Sequence, residues 1–207
     1  MGLLADFKAA AVARRRFPDD ERLTPASIFV LVRDMPYERA STPLAETAMH
    51  EWRGTCSAKH YLLRALYREF GLHSILIHAA CEITAVGWPW LPSGLKDALQ
   101  EGPIPDVHTF LRLDIGNEWM TVDATWPLAA GQLGLPVNER FEAGRDMKVA
   151  CEPDELFHVP EDVDPQAFKD VILGRHVGGQ VDRRDRFIEA LSGWLARELP
   201  ETSSSRH

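Results

Sequence analysis

Three side chains of the sequence have the types and the order that catalysis by a cysteine nucleophile requires. Cys56 follows Gly54-Thr55 and precedes a run with apolar residues at helical spacing, which predicts that it lies in the first turn of a helix. A helix N-terminus favours a thiolate through its macrodipole and its free N–H groups. His108 and Asp123 follow in the chain. A histidine can remove the thiol proton and a carboxylate can fix the imidazole tautomer, so the set predicts attack on a carbonyl, with a thioester forming on Cys56.

The histidine and the aspartate are predicted to meet across a β-hairpin. Strands are predicted over 107–115 and 118–125, joined by a Gly-Asn pair that is typical of a type II′ turn because the glycine comes first. A two-residue turn makes His108 and Asp123 diagonal neighbours on one face, with α-carbons roughly 7–8 Å apart, within imidazole–carboxylate reach. The alternative is a histidine that is satisfied within the core and an aspartate that caps the end of a strand.

The two faces of this hairpin differ in composition. The face opposite His108 is apolar and suited to burial, with Val107, Leu111, Leu113, Ile115, Met120 and Val122. The face of His108 also carries the polar and charged residues Arg112, Asp114, Thr121 and Thr125. Because side chains alternate along a strand, one face is expected to pack in the core and the other to carry chemistry.

Three short motifs resemble those of the transglutaminase-like superfamily, a branch of the papain-like cysteine enzymes. Residues 54–57 resemble its Gly-x-Cys nucleophile motif, residues 107–110 its histidine strand, and residues 122–126 its aspartate motif. The chain order of cysteine, histidine and aspartate is also the papain-type order. The resemblance covers roughly residues 24–127, about half of the chain.

The resemblance implies a role for each of the three residues. Cys56 is implied as the nucleophile, His108 as the general base and acid, and Asp123 as the residue that orients the imidazole. Two positions depart from the family pattern: Phe110 stands where tryptophan is common, and Ala124 stands where proline is common. Neither position belongs to the triad, so the departures bear on the subfamily rather than on the chemistry.

The order of the predicted elements favours an α+β fold, with a nucleophile helix packed against an antiparallel sheet as in a papain-like or transglutaminase-like core. The predicted helices cover 3–16, 24–35, 56–70, 95–99 and 185–199, and the predicted strands cover 74–84, 107–115, 118–125 and 147–151. The predicted organisation is an N-terminal helical extension over 1–23, a catalytic core over 24–181, a C-terminal amphipathic helix over 182–200 and a flexible tail over 201–207.

A long connection over 87–105 is predicted to border the mouth of the site. It ends just before the strand of His108, exceeds a typical connection in length and carries Trp88 and Trp90 among prolines. Together with Trp126, these tryptophans are candidates for substrate binding, because an indole offers an apolar wall with a polar handle. The alternative is that all three pack the connection onto the sheet.

Two other classes of protein compete with the enzyme. Cys56 and His60 lie four positions apart on one helical face, but the sequence has no Cys-x-x-Cys or His-Glu-x-x-His motif. His60 is therefore expected near the site or on the helix surface, and neither a metal nor another cofactor is predicted. A non-catalytic interaction or scaffold module built on the same fold is the second alternative.

Composition limits the class of partner. The formal net charge of −8 argues against nucleic acid, and no apolar stretch approaches the roughly 20 residues of a membrane span. The cysteines Cys56, Cys81 and Cys151 are few and widely spaced, and the N-terminus has no signal-peptide pattern. Both features predict a cytoplasmic location.

The expected partner is a peptide, amide or acyl substrate, and what attacks the thioester decides the reaction. Water would make the protein a peptidase or amidase, an amine would make it a transamidase, and a carrier thioester would make it an acyltransferase or cyclase. The residues do not choose among these reactions, and they do not set the oligomeric state.

Overall fold

The computed structural model describes residues 2–199 and shows an α+β fold, as the sequence predicts. One antiparallel sheet has the strand order β3-β2-β1-β4, with β1 Ser74–Ile83, β2 Ile104–Ile115, β3 Glu118–Val122 and β4 Pro153–His158. The α-helices are α1 Leu3–Ala13, α2 Pro25–Arg33, α3 Ala45–Glu51, α4 Cys56–Glu69, α5 Ser93–Asp97, α6 Pro165–His176 and α7 Val181–Glu198. Both α4 and α6 pack against the central strands β1 and β2.

Helix α4 is held by a deeply buried apolar stripe. Leu62, Leu63, Leu66 and Tyr67 are fully buried in the main core, which also contains the apolar residues of the β2–β3 hairpin. Burial of side chains of this size contributes about 1.5–3 kcal/mol each. The stripe therefore fixes α4 on the sheet, and with it the position of Cys56 at the start of the helix.

The hairpin of β2 and β3 has the predicted register but a different turn. Ile115 pairs with Glu118 and Leu111 pairs with Val122, which is the alignment that a two-residue turn gives. Gly116 (φ 64°) and Asn117 (φ 71°) both have positive φ, so the turn is type I′ rather than the predicted type II′. Asparagine tolerates the left-handed region, and the type I′ turn matches the twist of the strands.

The prediction of a strand over 147–151 is wrong: the fourth strand is β4, which pairs with β1 at the other edge of the sheet. The backbone N–H of Lys148 donates to the Asn138 side chain at 3.1 Å, and that of Ala150 donates to the Asp123 carboxylate at 2.8 Å. These side chains take the hydrogen bonds that a neighbouring strand would otherwise accept.

Two helices have no counterpart among the sequence predictions. Helix α3 precedes the nucleophile helix, and α6 follows β4. Asp164 caps α6 by accepting from the Ala167 N–H at 2.8 Å, and Pro165 begins the helix. The correctly predicted α2 begins in the same way, with Thr24 capping ahead of Pro25.

The terminal segments were predicted as additions to the core. Phe7 of α1 is fully buried in the main core and stacks on Trp52 with ring centroids 5.5 Å apart, so α1 packs on the same core as α4. Helix α7 buries Phe187, Ile188 and Leu191 in a second core cluster. The predicted flexible tail over 201–207 lies outside the described residues.

Candidate active site

Cys56 is the first residue of α4, as predicted, and its side chain is almost fully buried. Gly54, two places before Cys56, lies where the chain packs closely against the first turn of α4. A Cβ at Gly54 would lie 3.0 Å from the Ala58 Cβ and 3.2 Å from the Lys59 backbone nitrogen. Glycine therefore allows the chain to pass close to the first turn of the helix that it enters.

The predicted contact between His108 and Asp123 is present. His108 Nε2 lies 2.8 Å from Asp123 Oδ2, and both side chains are buried. Because the carboxylate can only accept, Nε2 carries the proton and Nδ1 is left to face the thiol. The pKa of Asp123 lies well below its usual range: burial opposes the shift, but the charge of His108 and its hydrogen bond outweigh burial.

Backbone groups fix the Asp123 carboxylate in place. Its Oδ1 accepts from the Thr125 N–H at 2.9 Å and its Oδ2 accepts from the Ala150 N–H at 2.8 Å. The side chain of Asn138 donates to the main-chain oxygen of Asp123 at 2.9 Å. The segment that follows Asn138, wrongly predicted to contain a strand, thus serves to hold the aspartate.

The thiol of Cys56 and the imidazole of His108 interact strongly, and each shifts the pKa of the other. Burial alone would raise the pKa of Cys56, but the positive charges of Lys169 and then of His108 lower it to about 6. Burial would lower the pKa of His108, and the charges of Asp123 and Cys56 raise it well above the ordinary value instead. The pair therefore favours thiolate and imidazolium at neutral pH.

His60 is fully buried and connects the nucleophile to the aspartate segment, so it is not a helix-surface residue. Its Nε2 accepts from the Ala124 N–H at 2.9 Å, so its Nδ1–H donates to the main-chain oxygen of Cys56 at 2.7 Å. Burial is the main reason that its pKa falls to about 4, so the ring is neutral near pH 7. His60 also lies 3.8 Å from Asp123 Oδ1.

Lys169 is a buried residue of the site that the sequence predictions missed. It lies on α6 with only 3% of its surface exposed. Its Nζ is 2.7 Å from Ser57 Oγ, 3.3 Å from Thr109 Oγ1 and 4.0 Å from Cys56 Sγ. The Asp164-Pro165 pair could have revealed the helix, but nothing in the sequence places this lysine beside a cysteine 113 positions away.

A cleft of about 530 Å³ opens onto Cys56. Residues of both charges line it: Arg39, Lys169, Arg184, Asp106, Asp170 and Asp185. Arg184 Nε donates to the buried Asp106 at 2.6 Å, and Arg39 pairs with Asp185 at 2.6 Å. The charged groups of the cleft are therefore partly neutralised by ion pairs.

The three tryptophans that were candidates for substrate binding lie elsewhere. Among the described residues, the lining of this cleft includes none of Trp88, Trp90 and Trp126, and no residue of the connection 87–105. Trp88 and Trp90 stack with ring centroids 4.9 Å apart and belong with Trp126 to the second core cluster. Tyr37 and Ile188 are the members of that cluster that line the cleft, and the Tyr37 ring lies 4.6 Å from the Trp126 ring. Contact between these indoles and a substrate is not supported by their position.

The described residues contain no group of three or more histidine, cysteine, aspartate or glutamate side chains placed to hold a metal ion. Within the same range, no helix combines the length and the apolar character needed to cross a bilayer.

No family model matches the sequence, and no curated protein matches it. Among solved structures, the chain is similar to one from Cytophaga hutchinsonii that is described as a "putative cysteine protease", with 18% sequence identity and a TM-score of 0.35. The aligned region covers 63% of this chain and 41% of that chain, so this chain spans less than half the length of the protein it matches. A similarity of this size does not assign an activity.

Proposed function

We propose that the chain is a cysteine-dependent acyl-transfer enzyme in which Cys56 is the nucleophile, His108 the base and acid, and Asp123 the residue that orients the imidazole. The observation that carries the proposal is the buried, hydrogen-bonded pair of His108 and Asp123 beside the Cys56 thiol, which lines a cleft. The resemblance of the three motifs to the transglutaminase-like superfamily implies the same roles for the same residues.

In the first half of the reaction, the Cys56 thiolate attacks the carbonyl carbon of the substrate, and the carbonyl π electrons move to the oxygen. Free backbone N–H groups at the start of α4 supply donors for that oxyanion. As the oxyanion collapses, the bond to the leaving group breaks, and His108 gives its Nδ1 proton to that group. The products are a released amine or other leaving group and a thioester on Cys56.

In the second half, His108 takes a proton from water or an amine as that nucleophile attacks the thioester. The carbon–sulfur bond breaks, the thiolate leaves, and the proton remains on the imidazole, which restores the starting pair. Asp123 holds the Nε2–H throughout, which keeps Nδ1 directed at the reacting atoms. The cleft combines apolar surface with charged side chains that can bind polar groups, which suits an amide, peptide or acyl substrate. Location in the cytoplasm and the lack of a nucleic-acid partner remain predictions.

Thiol labelling tests the proposal directly. A small alkylating agent at neutral pH should modify Cys56 much faster than Cys81 or Cys151, and the pKa of Cys151 is raised, chiefly by its hydrogen bond to Cys81. Acyl and peptide probes should leave a mass adduct on Cys56 that is absent from the Cys56→Ala protein.

The matching activity measurement uses whichever probe acylates the protein. Cys56→Ala should abolish its turnover, and a circular dichroism spectrum should show that the variant folds, because the replaced side chain is almost fully buried. Cys81→Ala is the control and should retain turnover. A fully active Cys56→Ala protein, or equal alkylation of all three cysteines, would contradict the proposal and favour the interaction module.

A further inference from the structure

A buried lysine lies beside the nucleophile, on an element outside the hairpin that carries the histidine and the aspartate. We propose that Lys169 is a second cation of the catalytic site, which acts together with His108 to keep Cys56 ionised. The inference rests on the proposed role of Cys56 as the nucleophile. It concerns what holds the thiol in its reactive form.

The first support is the geometry of the Lys169 ammonium. Its three N–H groups have three neighbours: Ser57 Oγ at 2.7 Å, Thr109 Oγ1 at 3.3 Å and Cys56 Sγ at 4.0 Å. All four side chains are at least nine-tenths buried. The two hydroxyls fix the ammonium, and its remaining direction is toward the sulfur.

The second support is a chain of hydrogen bonds that orients the hydroxyls as acceptors. His78 Nε2 lies 3.0 Å from the main-chain oxygen of Pro165, which can only accept, so Nε2 carries the ring proton. His78 Nδ1 then accepts the Thr109 hydroxyl proton over 3.0 Å. This leaves the Thr109 oxygen with lone pairs for Lys169. The pKa of His78 falls to about 3, mainly through burial and then through the charge of Lys169, so the ring stays neutral.

The third support is the lack of a carboxylate partner. Among residues 2–199, no aspartate or glutamate oxygen lies within the 4.0 Å of an ion pair with Lys169. A buried ammonium is costly unless a negative charge compensates it. The buried Asp106, which Arg184 already neutralises, interacts with Lys169 only beyond ion-pair distance. The negative group that can form in contact with Lys169 is the Cys56 thiolate, so the folded state favours ionisation of the thiol.

Other charged groups near Cys56 and Lys169 also affect the pKa of Cys56. Asp106 opposes ionisation of Cys56, but Arg184 neutralises Asp106 through a hydrogen bond of 2.6 Å. The remaining titratable side chains that face Cys56 or Lys169 are Tyr37, Lys59, His60, Tyr61, His78, His108 and, in the cleft lining, Asp170. Of the cations, Lys169 and His108 are the two that lower the pKa of Cys56 most.

The test is the pH dependence of Cys56 alkylation by iodoacetamide, with the modified residue identified by mass spectrometry. The wild-type rate should rise with a midpoint near pH 6. In Lys169→Met the midpoint should move up by roughly 1–3 pH units, the shift expected when an opposite charge at 4–6 Å is lost. Lys8 of α1 supplies the control, and Lys8→Met should leave the midpoint unchanged. A Lys169→Met protein that folds and keeps the wild-type midpoint would overturn the inference.

A second measurement uses Lys169→Gln, which removes the charge but keeps a hydrogen-bond donor for Ser57 and Thr109, so it guards against a Lys169→Met protein that does not fold. Its midpoint for Cys56 should also rise by roughly 1–3 pH units, whereas Lys169→Arg keeps the charge and should stay near the wild-type midpoint. A folded Lys169→Gln protein with the wild-type midpoint would also overturn the inference, while the low wild-type midpoint would leave the proposed function standing. An ordinary midpoint in the wild type would count against the activated thiol itself.

Discussion

Two groups of buried side chains differ in what their burial costs. The polar cluster consists of Cys56, Ser57, His60, His78, His108, Thr109, Asp123 and Lys169. The tryptophan cluster consists of Trp88, Trp90 and Trp126 with Phe187 of α7. Burying aromatic rings is favourable in itself, whereas burying charges is unfavourable unless they are paired and hydrogen-bonded.

The polar cluster is held together by hydrogen bonds to its buried groups, and this is its main difference from the tryptophan cluster. The carboxylate of Asp123 accepts three hydrogen bonds, and both ring nitrogens of His60 have partners. A network of this kind specifies one geometry, because every partly broken alternative leaves a buried polar group without a partner. The tryptophan cluster uses ring stacking and edge contacts, which tolerate small shifts. The chemistry is expected to depend on the first group and the stability of the second half of the fold on the other.

The largest expected effect is that of a substitution at Asp123, which belongs to the polar cluster. Asp123→Asn should preserve the fold yet lower turnover by about 10⁴-fold, since an amide in place of the carboxylate favours the wrong imidazole tautomer, as in serine triads. The exposed Asp154 provides the control, and Asp154→Asn should retain full turnover. Steady-state kinetics and a circular dichroism spectrum of each variant measure the two outcomes. Wild-type turnover in Asp123→Asn would show that His108 does not need the carboxylate.

A smaller effect is expected at His60, which touches the nucleophile only through the main chain. His60→Ala removes the link between the oxygen of Cys56 and the N–H of Ala124, so turnover should fall by roughly 10²-fold through misplacement of the reacting groups. The exposed His50 is the matched control, and His50→Ala should leave turnover unchanged. Unchanged turnover in a folded His60→Ala protein would remove His60 from the set of positioning residues.

His60 should also shape the acid stability of the protein. Its folded-state pKa of about 4 lies below the ordinary value near 6.5, so the unfolded chain binds the proton more readily. The contribution is therefore present above about pH 6.5 and is lost as the pH falls toward 4, by about 3 kcal/mol. Urea unfolding from pH 7 to pH 4.5 should show a flatter profile for His60→Ala than for His50→Ala. Parallel profiles would mean that other groups cause the loss.

Local geometry explains which parts of the site could be predicted from the sequence. His108 and Asp123 are only 15 positions apart and are related by a two-residue turn, so hairpin register alone brings them together. Lys169 reaches Cys56 only through the packing of α6 on the sheet, and no periodicity contains that information. In retrospect, Thr109 is an indication of this contact. It is a polar residue on the strand face that carries Leu111 and Leu113, and its hydroxyl accepts a hydrogen bond from Lys169.

The surface against which the tryptophans pack could not be predicted from the sequence. Composition indicated correctly that the connection 87–105 is ordered by burial of its indoles, but it could not indicate which surface they cover. The structure packs them against α7, with Trp88 at 6.3 Å from the Phe187 ring and Trp90 at 6.3 Å from the Trp194 ring. Long-range packing, rather than a local sequence pattern, determines which surface the indoles cover.

The smallest expected effect on turnover is at Trp88. Trp88→Ala removes a ring that is 92% buried among aromatic neighbours, so the free energy of unfolding should fall by about 3–5 kcal/mol. KM and kcat of the folded fraction should stay within about twofold of the wild-type values, because Trp88 is not among the described residues that line the cleft. Tyr37→Phe keeps the ring and its packing, so it should preserve stability and report separately on the hydroxyl at the cleft wall. A changed KM in Trp88→Ala with unchanged stability would reverse the comparison, because it would mean that the indole meets the substrate and that the connection 87–105 opens onto the site.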